Sequence, residues 1–249
     1  MTRKPQRLIA GLLTAAVVVG CGTANTAPDP LQTARSSSTV GAATGFIVSK
    51  AQFEQIFPDR DKFYSYDGLV RELDAFPSFA TVGDDDTRKR EAAAFFANVD
   101  HETDGLRGVV EANTANYGNY CDASFSYGCP AGRDAYYGRG PVQLSWNYNY
   151  RAAGASLGLD LLNDPSIVQR DETVAWKTAL WFWNTQASGT PTTAHGAMVD
   201  GQGFGATIRV FNGRLECDGH NPDQVQDRAD AYLRITGVLG VSPGDNLRC

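Results

Sequence analysis

Apolar residues along this chain recur mainly three and four positions apart, and strand-like alternation is scarce. That pattern predicts a mainly α fold. Ser49 is placed to cap a helix through Phe53, Ile56 and Phe57 that stops at Pro58. Leu69, Val70, Leu73 and Phe76 give helical spacing to the stretch from Tyr66 to Phe76. From Arg88 to Thr103, at roughly 100° per residue, Ala92, Phe95 and Val99 share one apolar face, and Asp84, Asp85 and Asp86 stand where negative charge suits a helix start. Asp171 opens a helix striped by Trp176, Ala179, Leu180 and Trp183, with Lys177 off the stripe. Further helices are expected over Ala206 to Phe211 and Gln224 to Leu239, the latter through Val225, Ala229, Tyr232, Leu233 and Leu239. Between Asn113 and Asn147 the chain is rich in Tyr, Gly and Asn and reads as loops, either a sugar-binding surface or a plain connector.

The ends change the picture. Arg3, Lys4 and Arg7 precede an uncharged run from Leu8 to Gly20, too short to span a bilayer comfortably and shaped like an export signal. Val18-Val19-Gly20-Cys21 resembles the lipobox of bacterial lipoproteins, so residues 1–21 are expected to be a leader with lipidation at Cys21. The alternative is a soluble secreted protein cleaved slightly later. Residues 22–44, dominated by Thr, Ala, Ser and Pro, read as a tether, and 45–249 as one compact domain.

Five cysteines are odd for an exported chain, and assigning Cys21 to lipid leaves four. Of the three possible pairings, the short separation of Cys121 and Cys129 favours a local clip, with Cys217 tying down Cys249. No CxxC spacing occurs and the three His (His101, His195, His220) are scattered, so neither metal nor cofactor is expected. Removing Arg3, Lys4 and Arg7 from a formal net charge of −6 leaves −9. So acidic a chain has no electrostatic reason to bind nucleic acid, and a neutral substrate fits it best.

Candidate chemistry centres on His101-Glu102-Thr103-Asp104-Gly105-Leu106 and Glu111. Glu102 continues the face of Ala92, Phe95 and Val99, where desolvation favours a protonated carboxyl; Glu111 lies among polar neighbours, where ionisation persists. An acid and a base flanking one turn are the equipment for hydrolysing a glycosidic bond. Two unrelated surface glutamates are the plain alternative.

A longer set of motifs then comes into view: Phe63-Tyr64-Ser65-Tyr66-Asp67-Gly68-Leu69, the HETDGL stretch, Asn116-Tyr117, Cys121-Asp122, the run from Tyr136 to Tyr150 (YYGRGPVQLSWNYNY), the run from Trp176 to Trp183 (WKTALWFW), and Asn212-Gly213 with Glu216-Cys217. In this order they resemble glycoside hydrolase family 19 chitinases, the compact bacterial members above all. The resemblance implies a two-lobed, lysozyme-like α fold with a central cleft and endo-hydrolysis of β-1,4-linked N-acetylglucosamine with inversion. It assigns Glu102 as general acid, Glu111 as general base and Ser145 as a holder of the attacking water. Gln143, Tyr148, Asn149 and Asn212 match sugar-binding positions, and Lys177, Glu216 and Arg228 a charged network supporting the base. A monomer acting on chitin or its oligosaccharides, exported or lipid-anchored at the surface of a bacterium, is expected.

Two departures stand out. Asp104 occupies a position where a small residue is usual, and it is expected in solvent. No separate chitin-binding module is legible, which predicts weak attack on crystalline chitin. Competing readings are a peptidoglycan-cleaving glycosidase and an inactive sugar-binding lipoprotein; the presence of both carboxylates weighs against the latter.

Overall fold

The computed structural model describes residues 45–249; the expected leader, tether and Cys21 lie outside them. The mainly α expectation holds. Among the described residues the only β pairing is two isolated bridges, Val110 with Arg139 and Arg139 with Leu144.

Among the described residues nine α-helices follow in order: α1 (Lys50–Ile56), α2 (Tyr66–Glu72), α3 (Asp85–Thr103), α4 (Asn147–Leu157), α5 (Ile167–Arg170), α6 (Glu172–Thr185), α7 (Ala194–Val199), α8 (Phe204–Glu216) and α9 (Pro222–Leu239). Their starts follow local chemistry. Ser49 and Gln52 form a reciprocal capping box on α1, Asp84 accepts the Thr87 amide at the start of α3, and Asp171 does the same for Thr173 and Val174 of α6. The predicted helix from Tyr66 ends at Glu72 and continues only as a 3₁₀ turn, Leu73–Ala75. The predicted Arg88 start of α3 is one turn late, because the Asp84 cap lies before Asp85.

Helix α3 organises the molecule. Its residues from Glu91 to Val99 are all buried, so it is a central helix and not a surface helix with one stripe. It packs on α7, α8 and α9, while α6 packs on α2, α4, α5 and α7. Trp176 and Trp183 are core residues, as their spacing predicts. Leu233, expected in the stripe of α9, is instead 40% exposed. The fully buried carboxylate of Glu91 accepts from Trp183 Nε1 (2.9 Å) and the Ala80 amide (3.0 Å) and lies 2.7 Å from His195 Nδ1. That hydrogen bond to Glu91 raises the His195 pKa above its ordinary value, tying α7 to α3 with a charge-assisted contact.

The pairings Cys121–Cys129 and Cys217–Cys249 are both formed, as the spacing favoured. The second fastens the C-terminus to the end of α8.

Candidate active site

Glu102 lies in the last turn of α3. Beyond it, Asp104, Gly105 and Leu106 all have left-handed backbone (φ 53°, 73° and 61°), which reverses the chain. For Asp and Leu this conformation costs about 1–2 kcal/mol each. It is offset by burial of Leu106, by the Leu106 amide donating to Thr103 Oγ1 (2.8 Å), and by the Gly108 amide donating to Thr103 O (2.8 Å). The segment is thus folded back on the end of the helix, and Glu111 follows within a few residues. Asp104 is solvent-exposed, as expected, and pairs with Arg107 (2.8 Å).

Around Glu102 the environment is ionic. Arg228, fully buried on α9, donates through Nη2 to Glu102 Oε1 (2.5 Å) and to Glu216 Oε1 (2.8 Å), through Nε to Glu216 Oε2 (2.8 Å), and through Nη1 to Asn98 Oδ1 (3.0 Å). Asn212 Nδ2 donates to Glu216 Oε1 (2.9 Å) from a residue whose φ of −140° interrupts α8. Burial works to raise the Glu216 pKa, but the Arg228 hydrogen bonds and charge outweigh it and hold the carboxyl below its ordinary range. The purely apolar setting expected for Glu102 is therefore incomplete: a guanidinium caps a carboxyl whose side chain remains 16% exposed.

Around Glu111 the partners are neutral. Asn116 Nδ2 (2.9 Å) and Tyr120 Oη (3.0 Å) donate to Oε1, and the Gly138 amide approaches Oε2 (3.4 Å). Burial first, and then the hydrogen bond to Glu111, push the Tyr120 pKa up to about 12, so the phenol keeps the proton it donates. The Glu111 backbone is fixed as well: its amide donates to Gly138 O (2.9 Å) and its carbonyl accepts from Tyr117 Oη (3.0 Å). Tyr117 stacks on Tyr137 (3.6 Å between centroids), and the Arg139 guanidinium lies 3.6 Å from the other ring of that stack, Tyr137.

Gly138 also joins Glu111 to the next motif. A β-carbon there would meet Gln143 Oε1 at 2.8 Å, Gln143 Cβ at 3.2 Å and Ser145 Oγ at 3.3 Å, so glycine lets these side chains close on the strand-like segment beside Glu111 without having to shift. Gln143 and Trp146, on either side of Ser145, have left-handed backbone (φ 46° and 76°), a cluster of strain of the kind that marks functional sites. Ser145 Oγ donates to Gln143 O (2.9 Å), Gln143 Nε2 to Gly140 O (3.1 Å) and Asn149 Nδ2 to Ser145 O (3.0 Å). Tyr148 stacks on Trp146, 5.5 Å away.

The structure thus gathers Glu111, Gln143, Ser145 and Asn149 in one group, and Glu102, Glu216, Arg228 and Asn212 in another. The charged network expected at the base contacts Glu102 instead. Lys177 instead pairs with Glu72 of α2 (3.3 Å), outside the network that joins Arg228 to Glu216. Sequence reasoning assigned no role to Asn98, Asn116 or Tyr120, although the density of Tyr and Asn after Glu111 was the available signal for the last two.

The family described as Chitinase class I, of glycoside hydrolase family 19, matches residues 47–249. Chitinase 6 of Oryza sativa subsp. japonica is 46% identical over 188 residues, covering 75% of this chain and 66% of that protein. An acidic endochitinase of Dioscorea japonica is 46% identical over 187 residues, covering 75% and 72%. Among solved structures, a bacterial family 19 chitinase superposes with a TM-score of 0.79 at 64% identity, over 82% of this chain and all (100%) of that one. Chitinase C from Streptomyces griseus HUT6037 superposes with a TM-score of 0.80 at 56% identity, over 82% and 81%.

Proposed function

Since this chain belongs to the class I chitinases of glycoside hydrolase family 19, we propose that it is an endo-acting chitinase that hydrolyses β-1,4 linkages between N-acetylglucosamine units with inversion. The observation that carries the reading is that two carboxylates flanking one turn are each held in place by their own donors, while the roles of acid and base come from their match to the family's motif. Glu102 is held by a buried cation that is itself shared with Glu216, and Glu111 by an amide and a phenol.

In the proposed reaction Glu102 gives its proton to the leaving glycosidic oxygen. Glu111 takes a proton from the water that attacks the anomeric carbon on the opposite face. Proton exchange with solvent resets both groups. The Ser145 hydroxyl can donate and accept, and so it helps hold that water. Gln143, Tyr148, Asn149 and Asn212 meet the sugar. Arg228 and Glu216 act as positioning residues for Glu102, and Lys177 as a strut on α2. Inversion calls for a carboxyl separation of roughly 6.5–9.5 Å, leaving room for the water. Reducing-end release from N-acetylchitohexaose tests the substrate class; clearing of cell-wall suspensions without that release would transfer the assignment to peptidoglycan.

The same proposal places the catalytic domain at 45–249, acting as a monomer on an extracellular substrate. Residues 1–21 export it, Cys21 carries the lipid and 22–44 tether it. Among the described residues no helix is long and apolar enough to cross a membrane. In this proposal the lipid provides the attachment, and Cys21→Ala should move the protein from the membrane fraction to the medium. An unchanged distribution would remove the anchor.

A further inference from the structure

One group of side chains takes no part in the proposed chemistry: the aromatic loop closed by Cys121–Cys129. A single buried side chain pins both ends of it. Asn147 Nδ2 donates to Asp122 O (2.9 Å) and Gly128 O (2.9 Å), and its Oδ1 accepts the Asp122 amide (3.0 Å). Disulfide and amide together hold the loop rigid, and what it presents is Phe125, 40% exposed and the only exposed large aromatic among the described residues. A single exposed ring is ordinary on a protein surface, and what sets Phe125 apart is where its neighbours lead.

The surroundings of Phe125 indicate what that contact is. Its ring stacks on Tyr127 (5.1 Å, 15° between planes), and the Arg151 guanidinium lies 4.5 Å over Tyr127, fixing that ring from the other partner. In the opposite direction Phe125 meets Tyr148 (5.7 Å), Tyr148 meets Trp146 (5.5 Å) and Trp146 meets Tyr120 (5.7 Å). Tyr120 is the phenol bonded to Glu111. An unbroken row of rings therefore runs from the base out to the surface.

We propose that Phe125, backed by Tyr127, forms a docking platform for polymeric chitin outside the cleft, guiding a neutral chain of N-acetylglucosamine units toward Glu111 by stacking on the apolar faces of the sugars. The platform does on the catalytic domain itself what a separate binding module would do. This inference rests on the chitinase reading and extends it to the capture of insoluble substrate.

Depletion binding to insoluble chitin, run beside hydrolysis of soluble N-acetylchitotetraose, tests it. Phe125→Ala should weaken binding to the polymer by about five- to tenfold, the size of one aromatic stacking contact. Its kcat/KM on the tetramer should stay within about twofold, and Phe125→Trp should restore polymer binding. Because stacking on a neutral polymer is not ionic, binding should survive about 1 M salt. Unchanged polymer binding in Phe125→Ala, an equal loss on both substrates, or loss of wild-type binding in salt would each overturn the platform while leaving the chitinase reading intact. A wild-type protein inactive on the tetramer would remove both.

Discussion

Glu102→Gln should lower kcat on N-acetylchitohexaose by about 10²–10⁴-fold, with KM nearly unchanged and the fold intact. The amide keeps an oxygen for Arg228 Nη2 to bond, so the tie between α3 and α9 persists while the transferable proton is gone. The effect thus falls on the transition state, where the departing sugar oxygen needs that proton. Glu111→Gln should be comparably slow, because its amide cannot accept a proton from the attacking water. Reducing-end assays on both variants, with circular dichroism as the control for folding, check this. Near-wild-type turnover by Glu102→Gln would rule out this residue as the acid.

Arg228→Met should destabilise the protein by about 3–5 kcal/mol, measured by denaturant unfolding. The guanidinium is fully buried and serves Glu216, Glu102 and Asn98 at once, so its loss strands a nearly buried carboxylate with only Asn212 as donor. Replacing Glu216 by Met in the same chain should recover part of the loss, since an apolar pair of similar volume leaves no buried charge at that position. The pH dependence follows from the depressed pKa of Glu216 in the folded state. Its contribution to stability is fully present above its ordinary value, about 4.5, and is lost as pH falls through the lower folded value. In Arg228→Met only the weaker effects of the Asn212 hydrogen bond and the His101 charge remain to oppose burial, so this part of the acid sensitivity should shrink or reverse. A variant as stable as wild type would mean that the network is dispensable to the fold.

How much of this was legible in the sequence depends on what each element buries. Helices that spend large apolar side chains on the core, such as α6 with Trp176 and Trp183, announce themselves by spacing. Helix α4 does not: Asn147–Leu157 is polar and small, its buried residues are Asn147, Tyr150, Ala153 and Gly154, and packing on α6 rather than an apolar stripe holds it in place. Helix α3 gave a stripe, yet it is buried nearly all round, because Ala92, Ala93, Ala94 and Ala97 are small enough to admit neighbours on every side. At the site, Glu102 and Glu111 were legible as a pair because one short turn joins them. The Arg228 contact, 126 residues away, has no local signature. Only the resemblance of the whole motif set pointed to that residue, and it associated the network with the other carboxylate. Tyr120 and Asn116 were hidden for a different reason: a loop rich in Tyr and Asn shows that donors are available, and only the fold shows which of them face Glu111.

The most direct test of the central claim is the anomeric form of the first products released from N-acetylchitohexaose, followed by NMR before mutarotation. If Glu102 and Glu111 act on opposite faces of one sugar with a water between base and anomeric carbon, the newly formed reducing ends appear first as the α-anomer. Initial appearance of the β-anomer would contradict that arrangement and point to a retaining reaction.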